Sequence, residues 1–425
     1  MSVTAVRGYE GTHEKGDLGV RKRAWLAAAL VILSVVLSAC GAAREGERAP
    51  DTFGVTEPDS TPLKVGVILT TSGPVGAVGV KQLTGLEMAI AEINEAGGIL
   101  GRQVELLVRD DGGDPTKARI AAQELVEKEG VAVIVGTTVS STALAIAPYL
   151  TEQQVAMIGS FSALELNDPE KYPYAFTGTA LSNDQAAVIV GYALDVLKAG
   201  KVGIIAESGA YGKAMTDDFM AQLQARGVEP ATVETYPQGS IDMAAQLNNL
   251  RRAEVDVILG ATLGTDSVRI LKGIQSMGWR VPYLGNSDLG TRSVVEGVGP
   301  EGMELVYSFY QKRHSFSADA DPHPKAVEFA EKFVKWADLS ELDQDIQHQS
   351  LFYDLAYITK QAIEDAASLS GPDIAVALEQ MRDFDGAHAT FTFTAEDHGG
   401  LDYDDLTMVR SASFRGGFYE AAPGQ

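Results

Sequence analysis

The constraint that narrows the fold most is a recurring alternation: short, almost continuous apolar runs, each followed within a few residues by an amphipathic segment of helical period. LKVGVIL (residues 63–69), VELLV (104–108), VAVIV (131–135), KVGIIA (201–206) and VDVIL (255–259) are the apolar runs, and TVETY (232–236) reads as a further strand among them. Runs of this kind suit strands buried on both faces, as in a parallel sheet, and the segments between them suit crossover helices. Repeating strand–helix units of 30–35 residues predict right-handed βαβ connections and doubly wound parallel sheets, with enough strands for two of them. At 425 residues the chain also exceeds the roughly 250–300 residues at which one core stops growing, so two lobes are expected.

Residues 131–166 (VAVIVGTTVSSTALAIAPYLTEQQVAMIGSFSALEL) hold two such units, each ending in a hydroxyl-rich turn: residues 137–142 and 159–162. A strand that empties into a helix N-terminus presents unpaired N–H groups and the positive end of the helix dipole. Ser140, Ser141, Thr142, Ser160 and Ser162 add donors there without adding charge. The surface suits a small anionic or zwitterionic group such as an amino-acid carboxylate. Capping is the structural alternative for Ser140 and Ser141. Pro148 should kink or restart the helix that contains it. Elsewhere, residues 70–79 read as a loop and 82–96 as a helix, and Asp114 with Pro115 reads as a helix cap rather than part of a calcium loop with Asp110 and Asp111.

With 34 basic against 58 acidic residues the net charge is −24, a field that would repel a phosphate backbone, so nucleic acid is not an expected partner. The single cysteine, Cys40, follows Arg21-Lys22-Arg23, a short apolar run and Leu37-Ser38-Ala39. That is the layout of a secretory signal over residues 1–39, and its end resembles the lipobox of bacterial lipoproteins, in which the cysteine carries lipid. Residues 40–62 then read as the lipidated Cys and a flexible Gly/Pro/Glu/Asp-rich tether. The expected location is extracytoplasmic, anchored to the cell membrane through Cys40.

Chemistry is sparsely represented. The chain has no G-x-S-x-G elbow, no H-E-x-x-H and no P-loop, and its six histidines (13, 314, 323, 348, 388 and 398) form no close ligand pair. Neither a metal, a cofactor nor a catalytic residue is expected. Trp279 and Trp336 are expected in the core.

The run at residues 85–118, GLEMAIAEINEAGGILGRQVELLVRDDGGDPTKA, resembles the signature of the leucine/isoleucine/valine-type periplasmic binding proteins. Ala89, Ile93-Asn94, Gly97-Gly98-Ile99, Gly101, Asp110-Asp111 and Asp114-Pro115 carry the likeness. It continues through residues 136–162, Tyr211-Gly212, Gly278-Trp279, Pro282, Tyr353-Asp354 and Ala356-Tyr357. The resemblance implies a type I periplasmic binding protein: two doubly wound lobes joined by a three-crossover hinge. Lobe 1 would be residues 63–178 plus 309–388, and lobe 2 residues 179–308 plus 389–425. It implies a ligand-binding role without catalysis, with an amino acid or amide-like small polar metabolite held between the lobes and ABC permease subunits as partners. The alternative is a sensory module of the same fold that signals to a membrane partner; an extracellular hydrolase is a third class.

By the same resemblance, Ser140 or Ser141 stands where a hydroxyl meets the ligand carboxylate. The turn Ser160-Phe161-Ser162 replaces the family's small-residue loop, and Tyr211 stands for the aromatic lid, with interlobe packing as its alternative. Ser287 or Asp288 falls at the acidic partner of the ligand ammonium, with a plain turn as the alternative for Asp288. Val78 occupies the place of an aromatic residue, which makes leucine a poor fit.

Overall fold

The computed structural model of the chain describes residues 61–425. Cys40 and the expected signal and tether up to residue 60 lie outside the described residues.

The first sheet collects the apolar runs of the N-terminal third: β1 (Leu63–Leu69), β2 (Val104–Asp110), β3 (Val133–Gly136), β4 (Ala156–Gly159) and β5 (Ala175–Thr177). All are parallel, in the order β2-β1-β3-β4-β5. Helices α1 (Gly76–Glu95), α2 (Pro115–Gln123) and α3 (Ser140–Gln153) connect them. The near-continuous hydrophobicity of β1 and β3 follows from burial on both faces: Val67, Ile68, Leu69 and Ile134 are all fully buried.

The second sheet is built from β6 (Val202–Glu207), β7 (Thr232–Tyr236), β8 (Val257–Ala261), β9 (Tyr283–Gly285), β10 (Val306–Gln311) and the short β11 (Ser315–Phe316). The helices around it are α4 (Ser182–Gly191), α5 (Ala210–Ala225), α6 (Ala244–Arg252), α7 (Gly264–Ser276) and α8 (Arg292–Val298). The chain then returns to the first lobe with α9 (Pro324–Trp336), α10 (Gln347–Ala366) and α11 (Gly371–Glu379) and a small hairpin, β12 (Phe384–Asp385) with β13 (Thr390–Phe391). It ends with β14 (Leu406–Arg415) and β15 (Phe418–Ala421), which close the second sheet in the order β11-β15-β14-β10-β9-β8-β6-β7. Strands β7 to β10 are parallel neighbours, and β14 runs antiparallel to β10. The path crosses between the sheets three times: after β5, after β11 and after β13.

Asp114 caps α2 by accepting from the N–H groups of Thr116 and Lys117, with Pro115 in the first turn. Three local expectations are corrected. Helix α1 starts at Gly76, so Val78 sits in its first turn rather than in a loop. Helix α3 passes through Pro148 without interruption, held by the buried face of Ile146, Ala147, Tyr149 and Leu150. Trp336 is 41% exposed at the end of α9, where its ring stacks on Phe333, and Trp279 is half-buried.

Candidate ligand-binding site

The carboxyl ends of the two sets of parallel strands face each other, which is where an open α/β sheet places a ligand crevice. Between them lies a narrow, partly open cavity of about 60 Å³.

Its first-lobe wall is made by the turns after β3 and β4: Thr138, Ser140, Ser160 and Ser162. The two turns approach so closely that a Cβ on Gly159 would lie 2.0 Å from the Gly136 carbonyl oxygen. Ser140 is buried and its Oγ accepts from the N–H groups of Ser162 at 3.2 Å and Ala163 at 3.1 Å. It therefore does not cap its own helix: the cap position is Val139, with no side-chain cap bond. That leaves the first-turn N–H groups of α3 as donors for a ligand. Thr177 fixes the second turn, its Oγ1 donating to the Phe161 carbonyl at 2.7 Å.

The second-lobe wall follows β6, β8 and β9: Tyr211, Leu263, Asn286, Ser287 and Asp288. Buried Glu207 accepts from the N–H groups of Gly209 and of Gly212 (2.7 Å), and so shapes the turn that carries Tyr211. Burial pushes the Glu207 carboxyl up while those two bonds oppose the shift. Tyr211 is 6% exposed, and desolvation, followed by the nearby Asp288, raises its phenol above the usual range. Its hydroxyl is a neutral donor at any physiological pH. Asp288 is buried beside the cavity, with Oδ1 3.5 Å from Nε2 of His348 on α10. That contact is a charge-dipole or ion-pair approach rather than an aligned hydrogen bond, since Nε2 has no hydrogen-bond partner in the protein. Among the described residues, neither Lys nor Arg lines the cavity.

Of the residues singled out from the sequence, Ser140, Ser160, Ser162, Tyr211, Ser287 and Asp288 come together around this space. Ser141 and Phe161 do not line it. Ser141 is half-buried one position along α3, and Phe161 is 1% exposed, packed into the first-lobe core with Met157, Leu166 and Tyr172. A bulky ring is thus accommodated in the turn by pointing away from the crevice.

A third wall includes Val78 of α1, at the pocket position that the resemblance implies; the rest of it, Gln82 of α1, Gln347, His348 and Leu351 of α10, and Gln185 of α4, was not visible in the sequence. On a helix of mixed polarity a Gln reads as part of a solvated face, and only the tight packing of α1 on α10 places Gln82 and Gln347 inside.

Residues 62–411 match the family described as periplasmic binding protein. The Leu/Ile/Val-binding protein homolog 3 of Brucella melitensis is 28% identical over 238 residues, 56% of this chain and 64% of that protein. The chain therefore spans somewhat less than two thirds of that relative. Among solved structures, the periplasmic binding protein type 1 from Bordetella pertussis Tohama I is similar with a TM-score of 0.75 at 25% identity, over 85% of this chain and 100% of that one. A branched-chain amino acid transporter substrate binding protein from Streptococcus pneumoniae, solved in complex with isoleucine, shares the fold with a TM-score of 0.73 at 23% identity, over 85% and 98% of the two chains.

Proposed function

The chain belongs to the periplasmic binding protein family, in its branched-chain amino acid type, and from that premise we propose that it is an extracytoplasmic solute-binding lipoprotein of an ABC importer. It captures an amino acid or related small polar metabolite between its lobes and presents the closed complex to permease subunits. Lipid on Cys40 holds it at the membrane.

The observation that supports this reading most directly is the composition of the cavity. One wall offers hydroxyls and helix N-terminal N–H groups, and the other offers the Asp288 carboxylate and the Tyr211 hydroxyl. A zwitterion placed between them meets donors at its carboxylate and an anion at its ammonium. Because both walls contact it only when the lobes are together, ligand and closure favour each other. The binding machinery needs no chemical step.

The test is a thermal-shift screen of the purified protein against amino acids, amides, urea and small aromatic acids, run beside turnover assays on the same solutes. Stabilisation with the solute recovered intact is the expected result. Steady product release would replace the receptor reading with an enzymatic one.

A further inference from the structure

Three amide side chains among those that line the cavity each carry a buried atom with no hydrogen-bond partner in the protein. Gln82 is fully buried, and its Oε1 accepts from the Thr138 hydroxyl at 2.7 Å. That hydroxyl oxygen also accepts from the Thr70 N–H at 3.0 Å, so Thr138 links the Gln82 amide to the end of β1. Gln82 Nε2 is left as a donor without a partner. Asn286 is the counterpart on the other lobe. Its Nδ2 donates to the Thr262 carbonyl at 3.1 Å, and because a carbonyl can only accept, Oδ1 is an acceptor without a partner. Gln347, at the start of α10, contributes a second such acceptor, Oε1. All three residues are more than nine-tenths buried.

One donor and two acceptors are the complement of a primary carboxamide, which carries one carbonyl acceptor and two N–H donors. An aliphatic side chain would leave all three buried atoms without a partner, the costly outcome for buried polar groups. A carboxylate could take the Gln82 donor. It would then face the two acceptor oxygens with lone pairs and add a second negative charge to a cavity that already holds Asp288.

We propose that Gln82, Asn286 and Gln347 form a specificity subsite for an uncharged primary amide, the carboxamide or urea-type end of the captured solute. The proposal rests on the solute-receptor reading above and departs from the aliphatic ligands for which the relatives are named. A site built to hydrogen-bond a polar group discriminates strongly against an isostere that lacks it.

Isothermal titration of the full chain with asparagine, leucine and aspartate, and with glutamine, methionine and glutamate, compares amides with apolar and acidic isosteres; acetamide and urea are added as minimal amides. At least one amide should bind, at least about tenfold more tightly than its isosteres, and Gln82→Met and Asn286→Leu should each abolish that margin. Since the ligand comparison is made on the unmodified chain, it decides the matter even where a variant folds poorly. Equal or tighter binding of leucine, methionine or the acids overturns the amide subsite and leaves the receptor reading in place. Absence of binding by every amide also overturns the subsite. In that case, stabilisation by a small aromatic acid keeps the receptor reading, and no response to any solute removes both.

Discussion

The backbone N–H of Thr265, in the first turn of α7, donates to the Pro74 carbonyl oxygen at 3.2 Å, joining the second lobe to the loop ahead of α1 in the first. Gly264 makes this approach possible. It holds φ +51°, and a Cβ there would lie 2.2 Å from the same oxygen. The lobes are thus in direct contact beside the cavity, and closure is written into backbone positions as well as into the ligand site.

Gly264→Ala should weaken this contact, because the left-handed conformation costs a Cβ-bearing residue about 1–2 kcal/mol and the methyl would collide with Pro74. Ligand affinity is expected to fall about tenfold or more. Since the glycine lies at the junction of lobes rather than in either core, the circular dichroism spectrum should keep its native shape. Unchanged affinity would show that this contact does not contribute to closure.

Ser140 and Ser141 are neighbours with different expected effects. Ser140→Ala removes the acceptor for the Ser162 and Ala163 N–H groups. It should cost about 2 kcal/mol of stability and loosen the turn that carries Ser160 and Ser162, with a clear loss of affinity. Ser141→Ala, outside the cavity lining, should leave titrations nearly unaltered. Equal effects of the two changes would mean that the hydroxyl staple is not what organises this wall.

His314 gives the protein a predictable acid sensitivity. Burial holds its imidazole down to about 3 against nearby Asp345, which raises it, and the ring is fully buried with Ser350 Oγ 3.2 Å away. A histidine whose folded value is depressed takes up its proton more readily when unfolded. Its contribution is therefore intact above the ordinary value near 6.5 and is lost as pH falls from there towards 3. Between pH 7 and pH 5 the loss from this residue is about 2 kcal/mol. His388, beside it, is shifted in the same direction, first by burial and then by His314. Denaturant melts across this range should steepen the pH dependence accordingly, and His314→Phe should flatten it. A variant that keeps the full dependence would exclude His314 as its source.

Cys40→Ala should abolish incorporation of labelled fatty acid and release the protein from the membrane fraction. Persistent labelling would remove the lipid anchor from the proposed function.

What the sequence determined by itself is local and periodic. Strand–helix alternation specified doubly wound parallel sheets, because continuous apolar runs can be buried only between layers of helix. The Asp114-Pro115 cap and the hydroxyl turns after β3 and β4 were also legible, since a strand's carboxyl end is where such a fold exposes backbone donors. Tertiary structure decided the rest. Whether Ser140 caps its helix or ties down the next turn depends on how closely two loops approach, and the direction of the Phe161 ring depends on room in the first-lobe core. Gln82 and Gln347, 265 positions apart, acquire their place only when α10 packs on α1. No short-range pattern distinguishes a glutamine that faces water from one that faces a ligand, because the difference lies in which helix covers it.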